Sequence, residues 1–334
     1  MASKYDKIEK VKKGEFLEEV PVSLWRHFPI DGLRAESLCA RHLELLRKYD
    51  LDLVKFSITG GYSAVAYGCE IEYVNTLEGA ARVKKPVIND LADWERLEEI
   101  NVQTGILGEM LRGVRLYSKE LNEEVPFVVT VFSPLTTASK ISGNLFLRHL
   151  RTEPKIIRQA LKIIEKTTTE FSKAIIENGA SGIFFATQQA TYDCLSIEEF
   201  KAFGLKYDLH VLNAVQDAFF NVLHLHGLNV MFDLATASYP VSAVNWHDRL
   251  TPPTLREAFN SFNGVLIGGL NEFETLTTKQ PKDVREEVFD AAAQTGRRRL
   301  IIGPGCVIPL NASEGNMEEV VKAARTLPRR RYHL

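Results

Sequence analysis

Residues 127–187 open with FVVTVF (127–132), run through SPLTTASK (133–140) and EPKIIRQALKIIEKTTTEFSKAIIENG (153–179), and close with GIFFAT (182–187). The two hexapeptides are apolar and rich in β-branched and aromatic residues, as strands buried on both faces should be. The long stretch between them repeats its apolar residues at helical spacing. Strand, helix and strand in that order predict a parallel β-α-β unit, because parallel neighbours need a long crossover.

Outward from this unit the same pattern recurs. Further strand-like runs are PVSLW (21–25), LVKFSI (53–58), NVLHLH (221–226), AVNW (243–246), VLIGGL (265–270) and LIIG (300–303). Helical patterns such as SIEEFKAFGLKYDLHVLNAVQD (196–217) and PKDVREEVFDAAAQTG (281–296) separate them. A strand count near eight over 334 residues predicts an α/β chain forming a single (β/α)₈ TIM barrel over residues 18–334. Residues 1–17 are then an N-terminal extension outside it. The stretch 59–103 fits least well and reads as an elaborated connection after the second run. An open doubly wound sheet is the other arrangement, but no Gly-rich dinucleotide fingerprint follows the first run.

Composition bounds the function. With 45% hydrophobic and 25% charged residues, the chain has the profile of a soluble globular protein. A net charge of -2 gives no reason to expect nucleic acid or an anionic membrane as partner. The basic runs Arg297–Arg299 and Arg329–Arg331 read as a solvated helix end and a frayed tail. No apolar run reaches the roughly 18 residues of a membrane span. The polar start MASKYDKIEKVKKGEF is unlike a secretory signal, so the expectation is a cytoplasmic protein. Four scattered cysteines (Cys39, Cys69, Cys194, Cys306) do not make a disulfide framework.

In a barrel, chemistry sits at the C-terminal ends of the strands and in the loops just beyond. That selects Arg26 and His27; Ser57 and Thr59; Ser133 to Lys140; Gln188 to Ser196; His224 and His226; His247 and Asp248; Asn271 and Glu272; and Cys306. The most informative stretch is NVLHLHG (221–227). Side chains alternate along a strand, so His224 and His226 share one face while Leu223 and Leu225 share the other. If the leucines pack on the outer helices, the histidines face the interior. Cys306, in IIGPGCVIP, lies just past the last run and opens onto the same interior. Two imidazoles and a thiol make three N/S ligands, the number a catalytic zinc site uses. His247 and Asp248 could add a fourth ligand or a supporting hydrogen bond. A metal-free polar site built on the same histidines, or plain packing, also fits these residues. Lys140 reads as a grip for an anionic substrate or as an exposed helix residue, and Arg26 at the mouth of the first run reads likewise. Tyr192 and Ser196 lie in the loop after GIFFAT, where Ser196 followed by Glu199 also reads as a capping box.

From about residue 18 to 327 the sequence resembles the uroporphyrinogen decarboxylase family, which includes zinc-dependent methyltransferases of corrinoid metabolism. The resembling stretches are PVSLWR, LRKYDLDLVKFS, VFSPLTTAS, ENGASGIFF, LSIEEFKAF, VNWHDR, GVLIGGLN and IIGPGCVIP, in order along the chain. The resemblance implies a (β/α)₈ barrel. Against the decarboxylase pattern, Arg26 and Ser196 stay in register, but Ile30, Ile58, Lys140 and Cys306 replace the remaining site residues. Against the methyltransferase branch, His224 and Cys306 match zinc ligands, and His226 stands where that branch has a cysteine. The resemblance therefore implies a zinc-dependent methyl (alkyl) transferase. Zn²⁺ would be held by His224, His226 and Cys306, with His247, Asp248 and Lys140 as catalytic groups and Arg26, Tyr192 and Ser196 binding a small-molecule substrate. A corrinoid on a partner protein would be the methyl donor, and a homodimer is compatible with this reading. A metal-free decarboxylase of a tetrapyrrole or small carboxylate is the alternative, as is a corrinoid- or porphyrin-binding protein without turnover.

Overall fold

The computed structural model describes residues 3–328, apart from 74–75 and 144; the basic run Arg329–Arg331 lies outside the described residues. Helix α1 (Lys4–Lys12) leads through an extended stretch to α2 (Ala35–Tyr49) and β1 (Val54–Phe56). Next come α3 (Tyr62–Ala66), a hairpin of β2 (Glu70–Tyr73) and β3 (Ala81–Lys85), α4 (Leu91–Glu95) and α5 (Gly105–Leu121). The chain continues with β4 (Phe127–Phe132), α6 (Pro134–Ser142), α7 (Leu145–Thr152), α8 (Pro154–Glu177) and β5 (Gly182–Thr187). Helix α9 (Ile197–Phe200) passes through a π turn (Lys201–Leu205) into α10 (Lys206–Asn213). The remaining elements are β6 (Val222–Leu225), α11 (Phe232–Ser238), β7 (Ala243–Asn245), α12 (Leu255–Ser261), β8 (Val265–Leu270), α13 (Pro281–Thr295), β9 (Leu300–Pro304) and α14 (Glu314–Arg325).

Seven strands form one parallel sheet in the order β1-β4-β5-β6-β7-β8-β9. Residues 21–25 were expected as a strand of this sheet, but they make only one isolated parallel bridge, Val22 with Ile302. Pro21 has no N–H to give, and on the β1 side the Asp52 carboxylate accepts the Val22 N–H in place of a backbone carbonyl. The stretch nonetheless hydrogen bonds to both ends of the sheet: Ser23 N–H to Ile302 O at 2.9 Å, and Asp52 N–H to Val22 O at 3.0 Å. The sheet is therefore curled round on itself.

Period-2 alternation sorts the side chains. Val129, Val131, Ile183, Phe185, Leu223, Leu225, Val244 and Leu266 pack outward in the larger core, shared with the helices. Val128, Phe184, Val222, Ala243, Val265 and Ile301 fill the interior. One step further along the strands the interior lining turns polar, with Lys55, Thr130, His224 and Asn245 all buried. An apolar floor below a polar tier is how this fold supports a site at one end only.

Residues 3–17, expected as part of an extension outside the barrel, pack closely against its N-terminal end. Ile8 and Val11, three apart on one face of α1, bury completely among the interior floor residues. Tyr5, Lys7 and Lys12 reach Ser181, Asp52 and the Phe219 carbonyl at 2.9, 2.8 and 2.9 Å, all just before strands begin. The helix thus plugs the N-terminal end of the sheet. The run Arg297–Arg299 is likewise more than a solvated end: Arg299 donates to the Phe259 and Phe262 carbonyls and satisfies the last turn of α12.

The poorly fitting stretch 59–103 holds the β2–β3 hairpin, and the hairpin tip folds over the open end of the sheet. Leu310 N–H reaches Leu77 O at 2.7 Å, and His27 Nδ1 lies 3.1 Å from Glu78 O. Gly79 makes the turn at φ +63°, where an added Cβ would sit 2.8 Å from Pro29 Cγ. Among the described residues no helix is long and apolar enough to cross a membrane.

Candidate metal centre

A cavity of about 530 Å³ opens at the C-terminal ends of the strands. His224 from β6, His226 one step past it and Cys306 just beyond β9 meet on its wall. Cys306 Sγ lies 3.6 Å from His224 Nε2 and 3.6 Å from His226 Nδ1, and one donor atom from each residue falls within 4.8 Å of the others.

His224 is held from behind. Register pairs it directly with Asn245 on β7, and its Nδ1 lies 2.7 Å from Asn245 Oδ1. Asn245 Nδ2 donates to Ile267 O at 2.9 Å and Pro304 O at 3.0 Å, which fixes the amide orientation. Oδ1 must then accept, so Nδ1 carries the proton and Nε2 presents its lone pair to the cavity. Phe184 stacks on the ring at 5.2 Å and 29°. Burial disfavours the charged imidazole and lowers the His224 pKa. Burial works against the Cys306 thiolate too, but the facing imidazoles outweigh it and hold the thiol well below its usual range. Two nitrogens and a thiolate converge, a donor set that suits a borderline-soft divalent cation.

Glu272, a fully buried carboxylate in the loop after β8, organises the other side. Its Oε2 accepts the Gly305 N–H at 3.1 Å, which places the turn carrying Cys306. Gly305 is needed there, since a Cβ would come 2.7 Å from His247 Cα. Glu272 Oε1 forms an ion pair with His247 Nδ1 at 2.9 Å, although its angle is not that of a hydrogen bond. Burial opposes a charge on His247, yet its contacts with Cys306 and Glu272 prevail and raise its pKa to about 10. The His247 ring centroid is 5.7 Å from that of His226.

The other expected site residues divide. Lys140, near the end of α6, lines the cavity. Asp248 does not: its Oδ1 accepts the Gly269 N–H at 2.9 Å, so the carboxylate ties β7 to β8. Arg26 donates to Leu310 O at 2.7 Å and lines a separate cavity shared with Arg41 and Glu314. Tyr192 is 56% exposed and lies outside the cavity lining. Ser196 caps α9 in a reciprocal box with Glu199. Sequence reasoning missed Lys55, Asn245 and the organising part of Glu272. A lysine inside the apolar run LVKFSI was a legible signal. Asn245 would have needed the register between strands.

The model of the family described as Uroporphyrinogen decarboxylase (URO-D) matches residues 13–327. The chain belongs to that family. Curated relatives include the methylcobamide:CoM methyltransferase MtbA of Methanosarcina acetivorans, 25% identical over 81% of this chain and 78% of its own length. MtbA of Methanosarcina mazei is 26% identical over the same shares. Among solved structures, a methyltransferase from Methanosarcina mazei superposes with a TM-score of 0.83 over 97% of this chain and 98% of its own, at 18% identity. Within the family, this chain thus has methyltransferases among its homologues.

Proposed function

We propose that this protein is a zinc-dependent methyltransferase that takes a methyl group from a corrinoid carried by a partner protein and gives it to a small nucleophile, a thiol first of all. The observation that carries this reading is the pair of 3.6 Å separations from Cys306 Sγ to two imidazole nitrogens. Bonds of about 2.3 Å to sulfur and about 2.0–2.1 Å to nitrogen, set at the tetrahedral angle, separate those atoms by about 3.6 Å. The donor set therefore fits zinc, with His224 Nε2, His226 Nδ1 and Cys306 Sγ as its holders. Zinc bound there supplies Lewis acidity that lowers the pKa of an acceptor thiol.

The chain's own residues do the rest. Asn245 keeps the His224 lone pair aimed at the cavity, and Glu272 keeps Cys306 in place through Gly305. Phe132, Phe184 and Phe273 make the cavity apolar, which strips water from the nucleophile. The acceptor sulfur makes the new C–S bond with its own lone pair. The electron pair of the broken bond stays with the corrinoid, and the thiol proton leaves to solvent. Two imidazoles and one thiolate carry less negative charge than a set with two thiolates, so the site polarises its ligand more strongly. Leu77, Leu228, Leu250, Phe273 and Leu310 are exposed on loops at this end, an apolar rim suited to a protein partner. In the same reading, residues 21–25 complete an eight-membered (β/α) barrel over residues 18–334, and the protein works in the cytoplasm. The decarboxylase alternative finds less support, because Ile58 on the cavity wall offers pyrrole N–H groups no acceptor.

The test is methyl transfer from methylcobalamin to small thiols, followed by loss of its absorbance and by mass of the thioether. Zinc-loaded protein is expected to turn over and chelator-stripped protein to lose activity until zinc is restored. Turnover indifferent to zinc, or none with any thiol, would contradict the reading.

A further inference from the structure

Asp208 of α10 is fully buried in the layer outside the sheet and takes no part in the cavity lining. Its Oδ2 accepts the Tyr239 hydroxyl at 2.6 Å, and its Oδ1 has no hydrogen-bond partner among the described residues. Tyr239 is buried too. Its N–H closes α11 on Ala235 O at 3.0 Å, and its ring stands edge-on to Phe185 of β5 at 6.4 Å and 83°. The pair therefore ties the helix that leads into β6 to the helix that leads into β7.

No cation answers this carboxyl. Helix α10 packs against α8, α6 and the π turn. On α8 every charged residue is exposed except Glu165, which pairs with His210 at 3.0 Å. Lys140, the one charged residue of α6, sits over the Phe132 ring in the cavity. Lys201 of the π turn, Lys206 of α10 and Asp233 of α11 are exposed, and β5 carries no charge. A carboxylate here would give up its hydration for one hydroxyl hydrogen bond, whereas a carboxylic acid has no charge to hydrate. Burial raises the Asp208 pKa to about 8, and the Tyr239 hydroxyl counters it only in part.

We propose that Asp208 is held as a neutral carboxylic acid and that its ionisation in alkaline solution is a conformational switch, which breaks the Asp208–Tyr239 strut and loosens α11. Nothing in this depends on the metal centre or on methyl transfer. The folded protein keeps the Asp208 proton up to about pH 8, while the unfolded chain releases it near the ordinary value of 3.8. The neutral acid therefore contributes stability that is fully present below pH 3.8 and is lost as pH rises through about 8. Once charged, Asp208 regains hydration only by turning toward water, and Tyr239 then loses its acceptor.

Asp208→Asn keeps the shape of the side chain and cannot ionise. Urea unfolding of wild type and variant from about pH 5 to about pH 9 should diverge, the folding constant of the variant gaining roughly 100-fold or more on that of the wild type across the range. Taking the ratio of the two removes the other titrating groups, Asp248 and Lys55 among them. The infrared difference between wild type and Asp208→Asn should contain a protonated-carboxyl band at neutral pH that fades as pH passes about 8. Tyr239→Phe removes the one hydrogen bond that favours the charged form, so in that variant the band should persist to higher pH. Its spectrum keeps the test open if Asp208→Asn fails to fold. Amide hydrogen exchange in α11, corrected for the intrinsic rate, should accelerate above about pH 8 in the wild type and not in Asp208→Asn. A stability ratio that does not change with pH, with no carboxyl band in the difference spectrum, overturns the neutral acid. A band that titrates while exchange in α11 stays the same overturns the switch.

Discussion

The two walls of the cavity are built on opposite principles. On the β6–β9 wall each ligand is placed by a neighbour: Asn245 holds His224, Glu272 holds the Gly305 turn, and Cys306 Sγ lies 3.6 Å from both imidazoles. On the β1–β4 wall Lys55 and Lys140 have no carboxylate partner among the described residues, and Thr130 Oγ1 has no hydrogen-bond partner. Preorganised donors spend no energy rearranging when a cation arrives, whereas unpaired groups cost stability until a ligand satisfies them. Under the proposed function, the contrast separates the wall that would hold a resident metal from the wall left to a substrate.

Breaking the first wall should have the largest effect. Cys306→Ser removes the only thiolate among the three donors, and zinc affinity should fall by roughly 1,000-fold or more, read by competition with a chromogenic chelator. Affinity should also fall as pH is lowered, since imidazole and thiol must be deprotonated to bind. The burial that lowers the His224 pKa delays its share of that loss to below 6.5. Asn245→Ala spares all three ligands but frees the His224 ring to rotate, and roughly 10–100-fold of zinc affinity should go.

How much of this was legible in the sequence follows the same division. The His224/His226 pair showed itself through period-2 alternation, because leucines at 223 and 225 had to face the helices. The strands at 127–132, 182–187 and 265–270 showed themselves as continuous apolar runs bounded by turns. What stayed hidden depended on contacts distant in the chain. Asn245 gains its meaning only from its register with His224, and α1 looked detached because Ile8 and Val11 meet their partners only in the folded core. The position of Asp248 after β7 likewise says nothing of a side chain that turns to the Gly269 N–H. The hairpin at 70–85 was obscured by alternating charges, as expected for a solvent-facing element.

The second wall should respond with the opposite sign. Lys55→Met removes a buried cation that no carboxylate pairs, so the ligand-free protein should gain about 1–3 kcal/mol in denaturant unfolding near neutral pH. In the wild type the folded-state pKa of about 8 lies below the ordinary 10.5. The unfolded chain therefore binds the extra proton between these values, and wild-type stability should rise with pH across that window. Lys55→Met should flatten that rise, and an unchanged slope would show that Lys55 is already paired. The smallest effect belongs to Ser196, which caps α9 away from both walls. Ser196→Ala should cost about 1 kcal/mol of stability and leave zinc affinity untouched.

The central claim, that His224, His226 and Cys306 form a zinc site, is tested most directly by zinc-edge X-ray absorption of protein loaded with one equivalent of zinc. The account predicts a shell with one sulfur at about 2.3 Å and two imidazole nitrogens at about 2.0–2.1 Å, the sulfur disappearing in Cys306→Ser. A shell of oxygen and nitrogen alone in the wild type, or a sulfur that survives the substitution, would contradict it.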